Sequence, residues 1–106
     1  MTDHERLLDA LQTYCRGRAR AETARWLQCL TRISPRRQQT IIRDLRRQGH
    51  MIGAATDKPM GYYLAATVAE RQRVYAELTA RARDIEETLR CMARANPDAL
   101  QLELVG

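Results

Sequence analysis

A chain of 106 residues with a formal net charge of +5 supports one domain with a modest core, which can need a partner to cover a remaining apolar stripe. The charge is uneven, because residues 1–65 hold 12 basic and 6 acidic side chains, a balance of +6, while residues 66–106 hold 6 basic and 7 acidic ones, a balance of −1. No apolar run has the length of a membrane span or the character of a signal peptide, so we expect no membrane association and a cytoplasmic location.

The residue types that usually carry catalysis or bind metals are sparse and dispersed. Cys15, Cys29 and Cys91 form no CxxC pair, and His4 and His50 lie far apart, so no metal-ligand spacing is present. The five glycines are scattered singly, which excludes a glycine-rich phosphate loop. We therefore predict a protein that is not an enzyme, with no catalytic residue and no metal or other cofactor.

Two helices are predicted in the first 31 residues. Thr2 or Asp3 can cap the first of them. The second runs from about residue 21 to residue 31 at helical spacing. Trp26 lies in this second helix and is expected in the core, because Leu27 and Leu30 share its side of the helix.

A short basic connector, Arg16-Gly17-Arg18-Ala19-Arg20, joins these two helices. Arg18 and Arg20 are candidates for contacts with phosphate groups, although a simple exposed loop is the alternative. The connector begins a larger cluster of charge, since residues 16–47 hold 10 arginines against 2 acidic side chains. A folded chain with this asymmetry indicates a polyanionic partner.

A third helix, at about residues 34–48, is the most clearly marked element of the chain. Ser34 can cap its first N–H groups, Pro35 suits its first position, and Gly49 is a typical stop. At about 100° per residue, one side of this helix is built for burial and the opposite side is basic. The side for burial holds Gln38, Ile41, Ile42 and Leu45, and the basic side holds Arg36, Thr40, Arg43 and Arg47.

The basic side of the third helix has two interpretations. It can be a solvated charged face, which is the usual fate of such residues. It can also be the face of a recognition helix in the DNA major groove, where arginine pairs in bidentate fashion with guanine or with phosphate. The neighbouring elements decide between the two interpretations.

Residues 50–65 are predicted to form a β-hairpin after the third helix. A short glycine-bounded segment, His50–Ala54, and an aromatic, strand-prone segment, Gly61–Ala65, flank a turn-like stretch. Lys58, the only lysine of the chain, lies at the tip of this turn. The predicted order is therefore helix, helix, tight turn, helix and hairpin.

Residues 4–65 resemble a winged helix-turn-helix DNA-binding domain of the kind found in small proteins of bacteria and phages. Ile33-Ser34-Pro35-Arg36 is similar to the start of its recognition helix. Ile42-Arg43-Asp44-Leu45-Arg46, followed by Gly49, is similar to the end of that helix. Gly61-Tyr62-Tyr63-Leu64-Ala65 is similar to the returning strand of the wing.

This resemblance implies that the third helix enters the major groove of double-stranded DNA, and that the wing at 50–65 follows the backbone or the minor groove. The chain departs from the pattern at Leu30-Thr31-Arg32, where small residues and a glycine are usual. Carried over by position, the residues that face bases or flanking phosphates are Arg36, Arg37, Thr40 and Arg43, with Lys58 on the wing.

The remaining residues, 66–106, are predicted to form one long helix and a short tail. Thr67 and Glu70 form a capping box, and Asn96-Pro97 ends the helix near residue 95. Apolar residues recur along it at spacings of 3, 4, 3, 4 and 3, which is a two-position heptad seam. The seam comprises Tyr75, Leu78, Ala82, Ile85, Leu89 and Met92.

This seam either packs back on the first helix of its own domain or pairs with a second copy of the chain. A helix of this length spans roughly 43 Å, which is more than a domain of about 65 residues can cover. We therefore expect a homodimer. The tail at 97–106 alternates apolar and polar residues and is predicted either as an added strand or as a disordered end.

The predicted fold class is mainly α with a small β-hairpin, consisting of a winged helix-turn-helix domain at 1–65 and a long C-terminal dimerisation helix with its tail at 66–106. The leading hypothesis is a dimeric, sequence-specific DNA-binding regulator of transcription, of phage or mobile-element type. The alternatives are an adaptor or inhibitor that binds an acidic protein partner with its basic face, and an accessory factor in phage DNA replication or packaging.

Overall fold

A computed structural model describes residues 1–98 of the chain. The prediction of a mainly helical chain with a small β-hairpin and a long C-terminal helix is confirmed. Within the described range the elements are α1 (Asp3–Tyr14), a 3₁₀ turn (Arg18–Arg20), α2 (Ala24–Thr31), α3 (Pro35–Arg47), β1 (Ile52–Ala55), β2 (Gly61–Leu64) and α4 (Val68–Ala95). Most of the predicted C-terminal tail, including its alternating stretch, lies outside the described residues.

The chain divides into two compact units, Met1–Tyr75 and Ala76–Gly106. The division falls inside α4, so about two turns of this helix belong to the first unit. In those turns Val74 is buried. The described part of the second unit is chiefly the remainder of α4.

The core of the first unit forms where α1, α2, α3 and β1 meet. Each of these helices is amphipathic, and its apolar residues recur three and four positions apart, so that they share one face. Ile52 closes the core from β1, and the partly buried Leu8, Tyr62 and Leu64 pack against its edge. The helical core residues are Leu7, Ala10, Leu11, Leu27, Ile41, Ile42 and Leu45, joined by Cys15 and Ile33 from the connecting segments.

The hairpin is antiparallel, with Ile52 opposite Leu64 and Gly53 opposite Tyr63. Gly53 is required at its position, since a Cβ atom there would overlap the Tyr63 ring. The connector between α1 and α2 runs beside β2, to which it is joined by single bridges from Arg16 to Leu64 and from Glu22 to Tyr62. The predicted loop therefore lies against the hairpin edge.

The prediction that Trp26 belongs to the core is wrong. Its side chain is 38% exposed and packs edge-to-face on Tyr14, with ring centroids 5.7 Å apart. The reason is the length of α2, which begins only at Ala24, after Thr23 caps the Trp26 N–H. In a helix of two turns the inward direction is filled by Leu27 and Thr31, which leaves Trp26 at the flank.

Candidate nucleic-acid interface

α3 is anchored by one face and exposed on the other. Ser34 caps it by accepting a hydrogen bond from the Arg37 N–H at 3.2 Å, and Pro35 occupies the first position. The predicted inward residues are all buried: Gln38, Ile41, Ile42 and Leu45. On the opposite side Thr40 is half-buried, and the exposed arginines are Arg36, Arg43 and Arg47. Contact of this face with DNA stays a prediction.

Most of the positive charge on α3 is not neutralised inside the protein. Arg36 and Arg47 have no side-chain partner among residues 1–98. Arg37 lies 3.7 Å from a carboxylate oxygen of Asp3, and Arg43 lies 3.5 Å from its neighbour Asp44. Exposed pairs at these distances are weak, so both arginines can exchange them for a stronger anion.

The one acidic side chain of α3, Asp44, bonds to a residue of α1. A carboxylate oxygen of Asp44 lies 2.9 Å from Nε2 of His4, which ties α3 to α1. This hydrogen bond and, to a smaller degree, Arg43 lower the pKa of Asp44 below its ordinary value. The carboxylate therefore stays ionised at neutral pH while it holds the two helices together.

The turn that presents α3 is fixed without glycine. The Thr31 hydroxyl donates to the Leu27 carbonyl at 2.7 Å and accepts from the Ile33 N–H at 3.3 Å. Arg32 takes the left-handed conformation, with φ of 63°, that a glycine would adopt more easily. The larger side chains at residues 30–32 are thus accommodated, because Thr31 bonds inward and Arg32 extends outward.

The buried side chain of Gln38 stabilises the same turn. Its side-chain NH₂ group donates to the carbonyls of Ala24 and Ile33, both at 2.9 Å, and the side chain is completely buried. Its carbonyl oxygen Oε1 is buried and has no hydrogen-bond partner among the described residues. Because these two carbonyls belong to the start of α2 and to the turn, Gln38 fixes α3 relative to α2.

Residues at the C-terminal end of α3 fix the connection between this helix and the hairpin. Gly49 adopts a φ of +103°, which lets the chain leave the helix sharply. Arg46 then donates from Nε to the Ile52 carbonyl at 2.8 Å. This arginine therefore braces β1 against α3, while its neighbour Arg47 stays exposed.

Arg18 holds the hairpin turn. Its guanidinium donates to the Pro59 carbonyl at 2.8 Å and to the Asp57 carbonyl at 3.1 Å, and it lies 5.7 Å from the centre of the Tyr63 ring. Contact of Arg18 with phosphate stays a prediction, but the structure gives this residue an internal role. Arg20 and Lys58 are exposed, and neither has a side-chain partner in the described part of the chain.

The predicted capping residues Thr67 and Glu70 hold the start of α4, and Glu70 also bonds to the connector. The Thr67 hydroxyl accepts from the Glu70 N–H at 3.1 Å, and the Glu70 carboxylate accepts from the Ala66 N–H at 2.8 Å. The same carboxylate accepts from the Arg18 N–H at 3.2 Å, a link that local sequence does not reveal. These backbone donors lower the pKa of Glu70.

The apolar seam of α4 is largely exposed in the single chain. Tyr75 is 71% exposed, and Ile85, Leu89 and Met92 are between 56% and 58% exposed. Leu78 is half-buried and Ala82 is exposed. Away from the seam, Glu87 pairs with Arg90 and with Arg94.

Neither a metal centre nor a membrane segment is found in residues 1–98. No group of three or more histidine, cysteine or acidic side chains in this range could hold a metal ion. None of the described helices combines the length and the apolar character that crossing a membrane requires. The chain matches no protein-family model, and neither a curated protein nor a solved structure was found to be similar to it.

Sequence reasoning missed two features of this surface. The first is the exposure of Tyr14, Trp26 and Leu30, which helical spacing groups with the buried apolar residues of α1 and α2. The second is the internal use of Arg18 and Arg46, whose partners are backbone carbonyls, distant in sequence for Arg18 and six residues away for Arg46. The helical period separates Arg46 from the exposed face of α3, but no local pattern shows that Arg18 bonds to the hairpin turn.

Proposed function

We propose that this protein is a dimeric, sequence-specific DNA-binding regulator of transcription with a winged helix-turn-helix domain. In this proposal α3 is the recognition helix and the β1–β2 hairpin is the wing. The phage or mobile-element setting is part of the proposal and rests on the resemblance of residues 4–65 alone. The observation that carries the proposal is the exposed face of α3, where three arginines lie opposite a fully buried side.

The geometry around α3 supports a recognition role over that of a solvated face. The helix is rigidly mounted, since Gln38 bonds it to α2 and the His4–Asp44 pair bonds it to α1. A side chain that reads bases must be held in register, and a helix bonded to both α1 and α2 satisfies this need. The only carboxylate of α3, that of Asp44, is bonded to His4 of α1, so the exposed arginines outnumber the acidic groups on this helix.

Binding would begin with electrostatic docking. The cluster of 10 arginines against 2 acidic residues in 16–47 attracts the phosphate backbone, and the counterions released on docking favour association. Arg36, Arg43 and Arg47 then reach base edges or flanking phosphates from the major groove. Lys58 at the hairpin turn adds a phosphate contact that carries no sequence information.

Duplex binding measured at low and at moderate salt tests the proposal. We expect a complex whose affinity falls steeply with salt. On a preferred site, Arg43→Ala should cost about 1–3 kcal/mol and relax specificity, whereas Lys58→Ala should weaken all sequences alike. Arg83→Ala, which removes the same charge from α4, is the matched control and should leave binding unchanged.

Two results would contradict the proposal. One is the absence of any duplex complex at low salt with a folded protein. The other is binding by Arg43→Ala and Lys58→Ala that equals binding by the parent. Retention of an acidic protein by the same arginines, without DNA binding, would instead favour an adaptor or inhibitor.

A further inference from the structure

Only two charged residues flank the apolar seam of α4 between residues 75 and 93. With Tyr75, Ala82 and Leu89 at the a positions and Leu78, Ile85 and Met92 at the d positions, the flanking e and g positions follow directly. Between residues 75 and 93 these flanking positions hold Thr79, Arg81, Glu86, Thr88 and Ala93. Arg81, at g, and Glu86, at e, are therefore the only charged residues beside the seam.

We propose that α4 pairs with α4 of a second copy in parallel and in register, and that Arg81 of each helix faces the partner's Glu86. This inference rests on the dimer included in the proposed function, and it adds the orientation and the residues that select it. Both side chains are exposed in the single chain. Glu86 has a pair with Arg90 at 3.8 Å, and Arg81 has no side-chain partner within residues 1–98.

Charge complementarity distinguishes the parallel arrangement from the antiparallel one. In a parallel pair a g residue faces the e residue five positions later in the partner. Arg81 and Glu86 have this separation, so two-fold symmetry produces two attractive pairs. In an antiparallel pair that uses the same seam, Leu89 packs against the partner's Leu78. Arg81 and Glu86 then each face a threonine of the partner instead of an opposite charge.

The exposure of the seam supports a second copy as its occupant. Ile85, Leu89 and Met92 recur at seam spacing and are each more than half exposed, whereas Glu87 and Arg94 pair with each other away from the seam. A second α4 supplies the same apolar spacing and the complementary charge at once. Because the first unit of each chain ends at Tyr75, the first seam residue, both first units continue into a parallel pair at the N-terminal end of the seam.

Charge reversal tests the proposed contact. Arg81→Glu should raise the dimer dissociation constant roughly tenfold in sedimentation equilibrium, because two attractive pairs become repulsive. Glu86→Arg should do the same, and the double variant Arg81→Glu, Glu86→Arg should restore association. Arg83→Glu is the matched control, since it makes an equal charge change away from the seam. Helicity measured by circular dichroism verifies that α4 forms in each variant.

Disulfide cross-linking determines directly whether the two α4 helices are parallel or antiparallel. In a background with Cys29→Ser and Cys91→Ser, Leu89→Cys alone should cross-link to itself in a parallel dimer, since equivalent a positions lie within disulfide reach. Cross-linking only after mixing with a Leu78→Cys protein would show the antiparallel pair. That result, or a failure of the double charge variant to restore association, would overturn the inference.

The outcomes separate this inference from the proposed function. A dimer with antiparallel cross-links overturns the orientation and leaves the dimer intact. A monomer at every concentration overturns the dimer and the orientation together. Duplex DNA binding, measured on the same proteins, reports on the α3 face independently of both results.

Discussion

Arg32 shows how a single residue sets the presentation of α3. It ends α2 with φ of 63° and ψ of 24°, which is the left-handed region that disfavours side chains with a Cβ atom. Its side chain is exposed, and no side-chain hydrogen bond or ion pair compensates for the strain within residues 1–98. The turn therefore tolerates Arg32 at a cost in stability.

We expect Arg32→Gly to raise the free energy of unfolding by about 0.5–1 kcal/mol, because glycine removes the strain and loses part of the gain through its unfolded-state entropy. Urea denaturation measures the change. Arg32→Ala is the control, since it removes the guanidinium and keeps the Cβ atom, and it should give no such gain. Equal stabilisation by both substitutions would show that charge, and not backbone strain, is responsible.

Cys15 is the cysteine whose chemistry the fold alters most. It is completely buried at the end of α1, and burial, with a smaller contribution from Glu22, raises its pKa from 9.0 to about 11. Cys29 and Cys91 are exposed. The sequence indicates three reduced thiols used as small apolar residues, but it does not distinguish the buried thiol from the exposed ones.

Thiol titration with a disulfide reagent should therefore label Cys29 and Cys91 in the native protein, and Cys15 only after unfolding. Stability should also fall as the pH rises from 9 towards 11, because the unfolded state loses the Cys15 proton before the folded state does. Cys15→Ala should remove this part of the pH dependence. Rapid labelling of all three thiols in the native protein would contradict the assignment.

At the scale of elements, α3 and α4 could be predicted closely because their signals are local. Ser34-Pro35 and Gly49 bound α3, and Thr67 with Glu70 begins α4. The start of α2 was predicted too early, because the connector before it pairs with β2 and turns into the helix only at Thr23. That pairing depends on residues about 40 positions apart, such as Glu22 and Tyr62, which no local pattern connects.

The hairpin likewise depends on a distant side chain. Arg18 supplies two hydrogen bonds to the turn and a cation–π contact to Tyr63. We expect Arg18→Ala to cost about 1–2 kcal/mol of stability, and to speed hydrogen exchange of hairpin amides such as that of Tyr62. Arg20→Ala removes the same charge without these contacts and should cost little. Similar losses from the two variants would rule out this bracing role.

At the scale of the whole chain, positive charge and exposed apolar residues are concentrated in different parts of the sequence. The positive charge gathers in residues 1–65 and the exposed apolar seam lies in α4, as the balance of +6 and the heptad spacing indicate. The compact units, however, divide at Tyr75, inside α4. The reason is that Val74 is buried and Glu70 bonds to the connector, so the first turns of α4 belong with the elements before them.

Which arginines remain available for a partner could not be predicted from composition. Of the cluster in residues 16–47, Arg18 and Arg46 bond to backbone carbonyls, while Arg36 and Arg47 lie exposed on α3. The helical period separates Arg46 from Arg47 by about 100°, which is why neighbours in sequence have different roles. The candidate interface therefore contains fewer arginines than the whole cluster in residues 16–47, and those on α3 lie on one face of the helix.

Selection of bound sequences from a random pool of duplex DNA tests the central claim most directly, because it asks whether the exposed face of α3 reads sequence. We predict that the parent protein enriches a two-fold symmetric site, and that a variant with Arg36, Arg43 and Arg47 all changed to alanine enriches none while it stays folded. Failure of the folded parent to enrich any sequence, or enrichment of the same site by both proteins, would contradict the account.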